Sequence, residues 1–296
     1  MPHHKSPSDS MSDTTRGILW IILATTIFTG TNVFAKKLGQ DHDVVQVVWA
    51  RYSFHFLFLL IMLRQRIVGV LKTNHLKLQL GRSTLLLISS AFYFLGFTFL
   101  PLAESAAIIN VTPILVTILS VPLLGERVGK HCWFGVVAGF CGALIIIRPG
   151  MEGFSPAMLL PLCAALSYSF YQIATRYVSH ADAPMTSITY TAVIGLVIGS
   201  LAVPFFWTTP DLTGWLMMAG IGLTGGLGHY AMIRAYSIAE ASVVSPFSYA
   251  VLLWMIVVGY ILFDDLPDLW TFIGAAFIVG SGLYISRRAT TKQTGV

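Results

Sequence analysis

The chain has little charge. Only 10% of its 296 residues are Asp, Glu, Lys or Arg, against about 25% in a typical soluble domain. A water-soluble fold of this length could not cover its surface with so few ionised groups, so a soluble globular protein is excluded. Cysteine is scarce as well. Cys132, Cys141 and Cys163 are odd in number and lie in apolar stretches, with no CxxC and no His at ligand spacing. They support neither a disulfide framework nor a zinc site. What is abundant is apolar surface: 55% of the residues are hydrophobic and the mean hydropathy is +0.76. The solvent for most of this chain must be lipid.

A helix needs about 20 apolar residues to cross the hydrocarbon core. Stretches of that kind occupy 17–37, 44–63, 82–100, 104–122 and 131–148, then 156–178, 185–206, 213–235, 241–262 and 269–286. The expected fold is an all-α membrane protein with ten transmembrane helices, whose short connections make neighbours antiparallel. Residues 1–16 and 289–296 read as polar, disordered cytoplasmic tails, and no soluble domain has room. The first apolar run is too long for a signal-peptide core and lacks a small-x-small cleavage pattern, so it is expected to be a mature helix.

Orientation follows from Lys and Arg, which favour the cytoplasmic side. With the N-terminus inside, fourteen of the 18 basic residues fall inside and three outside, Lys36, Lys37 and Arg148, while Arg51 lies within a span. Both termini are therefore expected in the cytoplasm and the protein in the inner (cytoplasmic) membrane. The basic connection 64–82 is the expected phospholipid-facing patch. Nucleic acid is not an expected partner, because no compact basic fold carries these charges.

The halves repeat one another. Leu102-Ala103-Glu104-Ser105 recurs as Ile238-Ala239-Glu240-Ala241; Ala35-Lys36 is echoed by Ala174-Thr175; Glu126 and Gly135 are echoed by Asp265 and Gly274. The matches keep one order. Residues 17–150 and 151–288 thus read as two five-helix repeats, and an odd helix count turns the second copy upside down. Inverted repeats of this kind mark secondary transporters, in which two bundles rock about a central site.

Five plus five spans, an Ala-Glu pair opening the fourth and ninth, Gly125-Glu126-Arg127 between the fourth and fifth, Arg51, and the Ile146–Gly150 ending of a glycine-rich fifth span carry a resemblance. On them the chain resembles the EamA-domain transporters of the drug/metabolite transporter superfamily. The resemblance covers about residues 17–288 and departs where Asp264-Asp265 replaces the Gly-Glu pair. It implies alternating-access transport of a small organic solute: an amino-acid derivative, a sugar, a vitamin such as riboflavin, or a nucleotide-like metabolite. It implies no cofactor.

Other motifs point elsewhere. Gly125–Lys130 has three residues between its glycines and His131 after the lysine, whereas a Walker A loop needs four and a Ser or Thr. Asp264-Asp265-Leu266-Pro267-Asp268 matches the DDxxD string of prenyltransferases, which supplies the alternative reading, a membrane-embedded enzyme of that type. Such enzymes need a second acidic cluster, and the spans offer none, so the string is expected to be a solvated outer connection. No metal-ligand set and no activated Ser, Cys or His pair is recognisable.

Polar residues are costly in lipid unless they line a cavity or find partners. On that ground the candidate solute-binding residues are Asn32, Arg51, His55, Tyr93, Asn110, Tyr168, Gln172, Tyr190, His229, Tyr249 and Trp254. Tyr93 and His229 stand at equivalent places in the two halves. Pro113 and Pro246 are expected to break the fourth and ninth helices near the cavity. Arg51 either captures a solute carboxylate or phosphate or ties helices together through carbonyls. The resemblance leans to the second, because the family shares it across varied solutes. Gly135, Gly139 and Ala143 on the fifth span, and Ala276 and Gly280 on the tenth, allow close helix approach, within one monomer or in a homodimer. No span interior holds a carboxylate, so proton coupling is not expected.

Overall fold

The computed structural model describes residues 7–125, 130–148, 154–178, 181–238 and 245–294. Among these residues there is no strand. The helices are α1 (Pro7–Asp41), α2 (Val44–Leu63), the short α3 (Ile67–Val70), α4 (Leu76–Phe99), α5 (Leu102–Ile109), α6 (Thr112–Leu124) and α7 (Lys130–Ile147). The second half has α8 (Leu159–Val178), α9 (Pro184–Ala202), α10 (Leu212–Ile238), α11 (Ala250–Phe263) and α12 (Leu269–Thr294). In lipid every backbone N–H and C=O must be satisfied within its own segment, and the helix alone does this for a single strand of chain. Seven segments are long and apolar enough to cross a bilayer, and Trp133–Ile147, Phe247–Phe263 and Leu269–Tyr284 are shorter apolar helices. Together they fit the ten expected spans.

Several boundaries differ from the sequence expectation. Helix α1 starts at Pro7 and α12 continues to Thr294, so most of each expected tail is helical. Hydropathy marks where lipid ends, whereas helix propensity carries a polar segment further, here with an Asp13–Arg16 ion pair at i,i+3 spacing. Helix α4 begins at Leu76, six residues before Arg82. Arg82 is 1% exposed and does not belong to a phospholipid-facing connection.

The fourth span is broken. The Pro113 ring cannot coexist with a helical bond to the carbonyl four residues earlier, that of Ile109. The chain answers with a turn at Asn110–Val111 between α5 and α6, and the Thr112 hydroxyl donates to the Ile109 carbonyl at 2.6 Å. In the ninth span a 3-10 turn, Ser245–Tyr249, precedes α11. The Ala239-Glu240 pair, like Glu126 and Arg127, lies outside the described residues.

Helix α1 packs on α10, α4 on α8, and α7 on α12, while α2 sits against α9 and α10. Helices α7 and α12 approach backbone to backbone. A Cβ on Gly142 would stand 2.7 Å from the Gly274 carbonyl oxygen, and one on Gly274 would stand 2.5 Å from that of Gly142. Gly139 faces Ile114 and Ser281 in the same chain, whereas a Cβ on Gly280 would meet nothing. Gly139, Gly142 and Gly274 therefore pack within the chain, while Gly135, Ala276 and Gly280 line an open groove.

Candidate solute cavity

Two adjoining chambers lie among the helices. The larger, about 650 Å³, is walled by Thr25 and Phe28 of α1, Tyr93 of α4, Ile109 and Asn110 at the break, Thr112 and Pro113 of α6, Tyr168, Tyr171, Gln172 and Thr175 of α8, Met232 of α10 and Val251 of α11.

 A separate outer pocket of about 430 Å³ lies beside Lys36 and Asp265. The smaller chamber, about 150 Å³, is walled by Thr31, Asn32, Arg51, Leu86, Ser89, Ser90 and His229. Phe28, Tyr93, Ile109 and Tyr168 border both chambers, which makes them one continuous site.

Local chemistry fixes the walls. Thr25 bonds back to the Ile22 carbonyl at 2.8 Å and Thr29 to that of Thr25 at 2.9 Å, so neither hydroxyl is idle in the apolar setting. The Asn110 amide donates to the Ala106 carbonyl at 2.6 Å. Tyr168 and Tyr171, three residues apart on α8, stack with centroids 5.4 Å apart and planes 15° from parallel. Arg51 donates to Ser90 Oγ at 3.2 Å, and its guanidinium carbon stands 5.2 Å from the Phe94 ring centre and 5.5 Å from that of Tyr52. His229 Nδ1 lies 2.8 Å from the Gly225 carbonyl, four residues earlier on α10. A carbonyl only accepts, so Nδ1 carries the proton.

Behind Tyr171 and Thr175 lies buried Arg82. Its Nε donates to Thr175 at 3.0 Å, and its terminal nitrogens donate to Gln79 at 2.8 Å, the Ser187 carbonyl at 3.0 Å and the Tyr171 hydroxyl at 2.9 Å. Gln79 in turn donates to Asp182 at 2.7 Å. Burial raises the Asp182 pKa, but the bonds from Thr73 and Gln79 and the charges of His75 and Arg82 outweigh it, and the carboxyl is held below its ordinary value.

Ion pairs join the two halves at the far end of the bundle. Asp264 ends α11 in a left-handed turn, φ 54°, after which the acidic connection runs back over the helix ends. Lys36, near the end of α1, pairs with Asp265, and Arg148, just past α7, pairs with Asp268 at 2.6 Å. The connection expected to be merely solvated is thus pinned to the first half. Phe28 is eight residues before Lys36, about 12 Å along the axis, so the larger chamber lies toward the N-terminal end of α1.

Seven of the eleven candidates wall the cavity: Asn32, Arg51, Tyr93, Asn110, Tyr168, Gln172 and His229. The other four do not. His55 is buried and stacks on His229 at 6.0 Å, with Nε2 unpartnered. The Tyr190 hydroxyl donates to the Leu71 carbonyl at 2.7 Å. Tyr249 packs against the core close to Gly282, and Trp254 Nε1 is buried without a partner. Sequence reasoning missed Ser89 and Ser90, although both lie three or four residues before Tyr93 and so share its face. Among the described residues no group of three His, Cys, Asp or Glu could hold a metal ion.

The sequence profile of the EamA-like transporter family matches the chain twice, at residues 15–148 and 155–287. An S-adenosylmethionine uptake transporter of Rickettsia bellii is 26% identical, over 97% of this chain and 99% of the relative. A riboflavin transporter of Vibrio cholerae is 28% identical, over 94% and 95%. A pseudopaline exporter of Pseudomonas aeruginosa is 23% identical, over 92% and 96%. One solved crystal structure shares the fold, with a TM-score of 0.62 at 21% identity over 94% of this chain and 99% of its own. With two profile matches that cover most of its length, the chain belongs to the EamA-like transporter family.

Proposed function

We propose that the chain is a secondary transporter that moves a small organic metabolite across the cytoplasmic membrane by alternating access, with both termini in the cytoplasm. The observation that carries this reading is a cavity walled by both halves of the chain, with ion pairs joining the halves beyond it. The helix contacts support two inverted repeats. Exchanging each span for its counterpart five places on turns the α1–α10 contact into that of α8 with α4, and leaves the α7–α12 and α2–α9 contacts as they are. Rocking one repeat against the other would open the far end as the near end closes.

The solute class is an amino-acid derivative, a vitamin such as riboflavin, or a similar metabolite. Relatives named for uptake of S-adenosylmethionine, for riboflavin and for export of pseudopaline support that range. The test is counterflow in proteoliposomes preloaded with members of a metabolite library. A carrier gives saturable uptake of labelled solute, accelerated by unlabelled solute on the opposite side. Flux that rises linearly with concentration, without that acceleration, identifies a passive channel instead.

A further inference from the structure

The smaller chamber has a feature that a neutral solute would not use. Arg51 lines it with one hydrogen bond, to Ser90, and among the described residues no carboxylate pairs with it. A guanidinium has five N–H donors, so most of this fork is uncommitted. The Ser90 bond ties α2 to α4 through one donor, and among the described residues no backbone carbonyl takes another. The aromatic faces of Phe94 and Tyr52 hold the guanidinium in place. Among the described residues neither chamber has an Asp or Glu in its wall, and Arg82 adds a second positive charge behind Tyr171. The described wall is therefore electropositive.

We infer that the smaller chamber is an anion subsite: Arg51 receives a carboxylate or phosphate of the solute, while a planar body occupies the larger chamber beside Tyr168. The dimensions agree. About 150 Å³ admits a head group, and about 650 Å³ admits the remainder. The planar guanidinium matches either anion through paired N–H donors. This inference rests on the transporter reading and names the class of solute that reading leaves open.

The experiment uses the purified full-length chain and a panel of aromatic and heteroaromatic acids, each paired with its primary amide, together with aryl phosphates paired with their parent alcohols. Thermal stabilisation is titrated for every member, since a ligand that binds only the folded state raises the melting temperature. At least one anion stabilises the chain at a concentration about tenfold or more below that of its neutral partner. The acid and phosphate arms show which anion is preferred. Arg51→Gln abolishes the preference, and Arg51→Lys, which keeps charge but not the fork, retains part of it. Neutral partners that bind as well as the anions overturn the inference, as does a panel in which no anion binds or a preference that survives in Arg51→Gln. If Arg51→Gln does not fold, the wild-type ratios decide alone. Counterflow separates the two readings. Neutral members that exchange as fast as anions sink the subsite and leave the carrier, whereas anions that bind without any flux sink the carrier and leave the subsite.

Discussion

Lys36 and Asp265 join the end of α1 to the acidic connection before α12, across 229 residues of sequence, and Lys36 also reaches the Leu100 carbonyl at 3.5 Å. One ammonium thus fastens three segments at the far end of the cavity. Lys36→Gln or Asp265→Asn should favour the state open at that end. A partly exposed pair contributes about 1 kcal/mol, which is roughly a fivefold change in population. A cysteine placed at the cavity wall should then react faster with an impermeant reagent added on the far side. The charge-swapped double variant Lys36→Asp, Asp265→Lys should restore the slow rate.

The second pair should resist acid. Burial raises the Asp268 pKa, but bonds from the Thr271 side chain and backbone, and the charge and bond of Arg148, outweigh it and hold the carboxyl below its ordinary value. A lowered native pKa means that the stabilisation is present above the unfolded value and lost as pH falls through the native one. Melting temperature should therefore show no loss from this pair between about pH 8 and pH 5. Asp268→Asn should lower it throughout that window; a variant matching wild type at neutral pH refutes the assignment.

Much of the fold was legible because lipid writes a coarse code. Spans are long, apolar and punctuated by charge, and Pro113 announced its break. Arg82 was hidden because three of its partners, Thr175, Tyr171 and Ser187, are about a hundred residues away, so that the charge looked like part of a basic connection. The acidic connection was hidden for the same reason, with Lys36 and Arg148 distant in sequence. Within the cavity, polarity inside an apolar span picked out Asn32, Arg51 and Tyr93 as candidates. It could not show that Tyr190 turns its hydroxyl away to Leu71.

Glycines of the fifth and tenth spans should respond unequally. Gly142→Ala sets a methyl against the Gly274 carbonyl, and strain of that kind in a packed interior costs about 1–3 kcal/mol. Gly280→Ala meets no atom and should change stability by no more than about 0.5 kcal/mol. Melting temperatures in one detergent decide the matter, and equal losses would contradict the packing.

Transport should not require a proton. Within the described spans Glu104 is a carboxylate in the first turn of α5, where a negative charge suits the helix dipole, and the described cavity wall has none. His229 and His55 are the titratable candidates near it. In proteoliposomes an imposed pH gradient alone should give no uphill accumulation of solute. Accumulation that disappears in His229→Ala or His55→Ala would show the expectation to be wrong and identify the proton carrier.

At the glycine seam where Gly142 meets Gly274, no side chain stands between the backbones of α7 and α12, and among the described residues neither helix borders either chamber. Surfaces that interlock through side chains can trade one rotamer set for another; carbonyl pressed against Cα has no second setting. In the proposed transport cycle the pair would be the stator, with displacement left to the remaining spans. Spin labels set across this seam should hold one separation whichever way the carrier faces, which makes it the internal ruler against which every other distance change can be read.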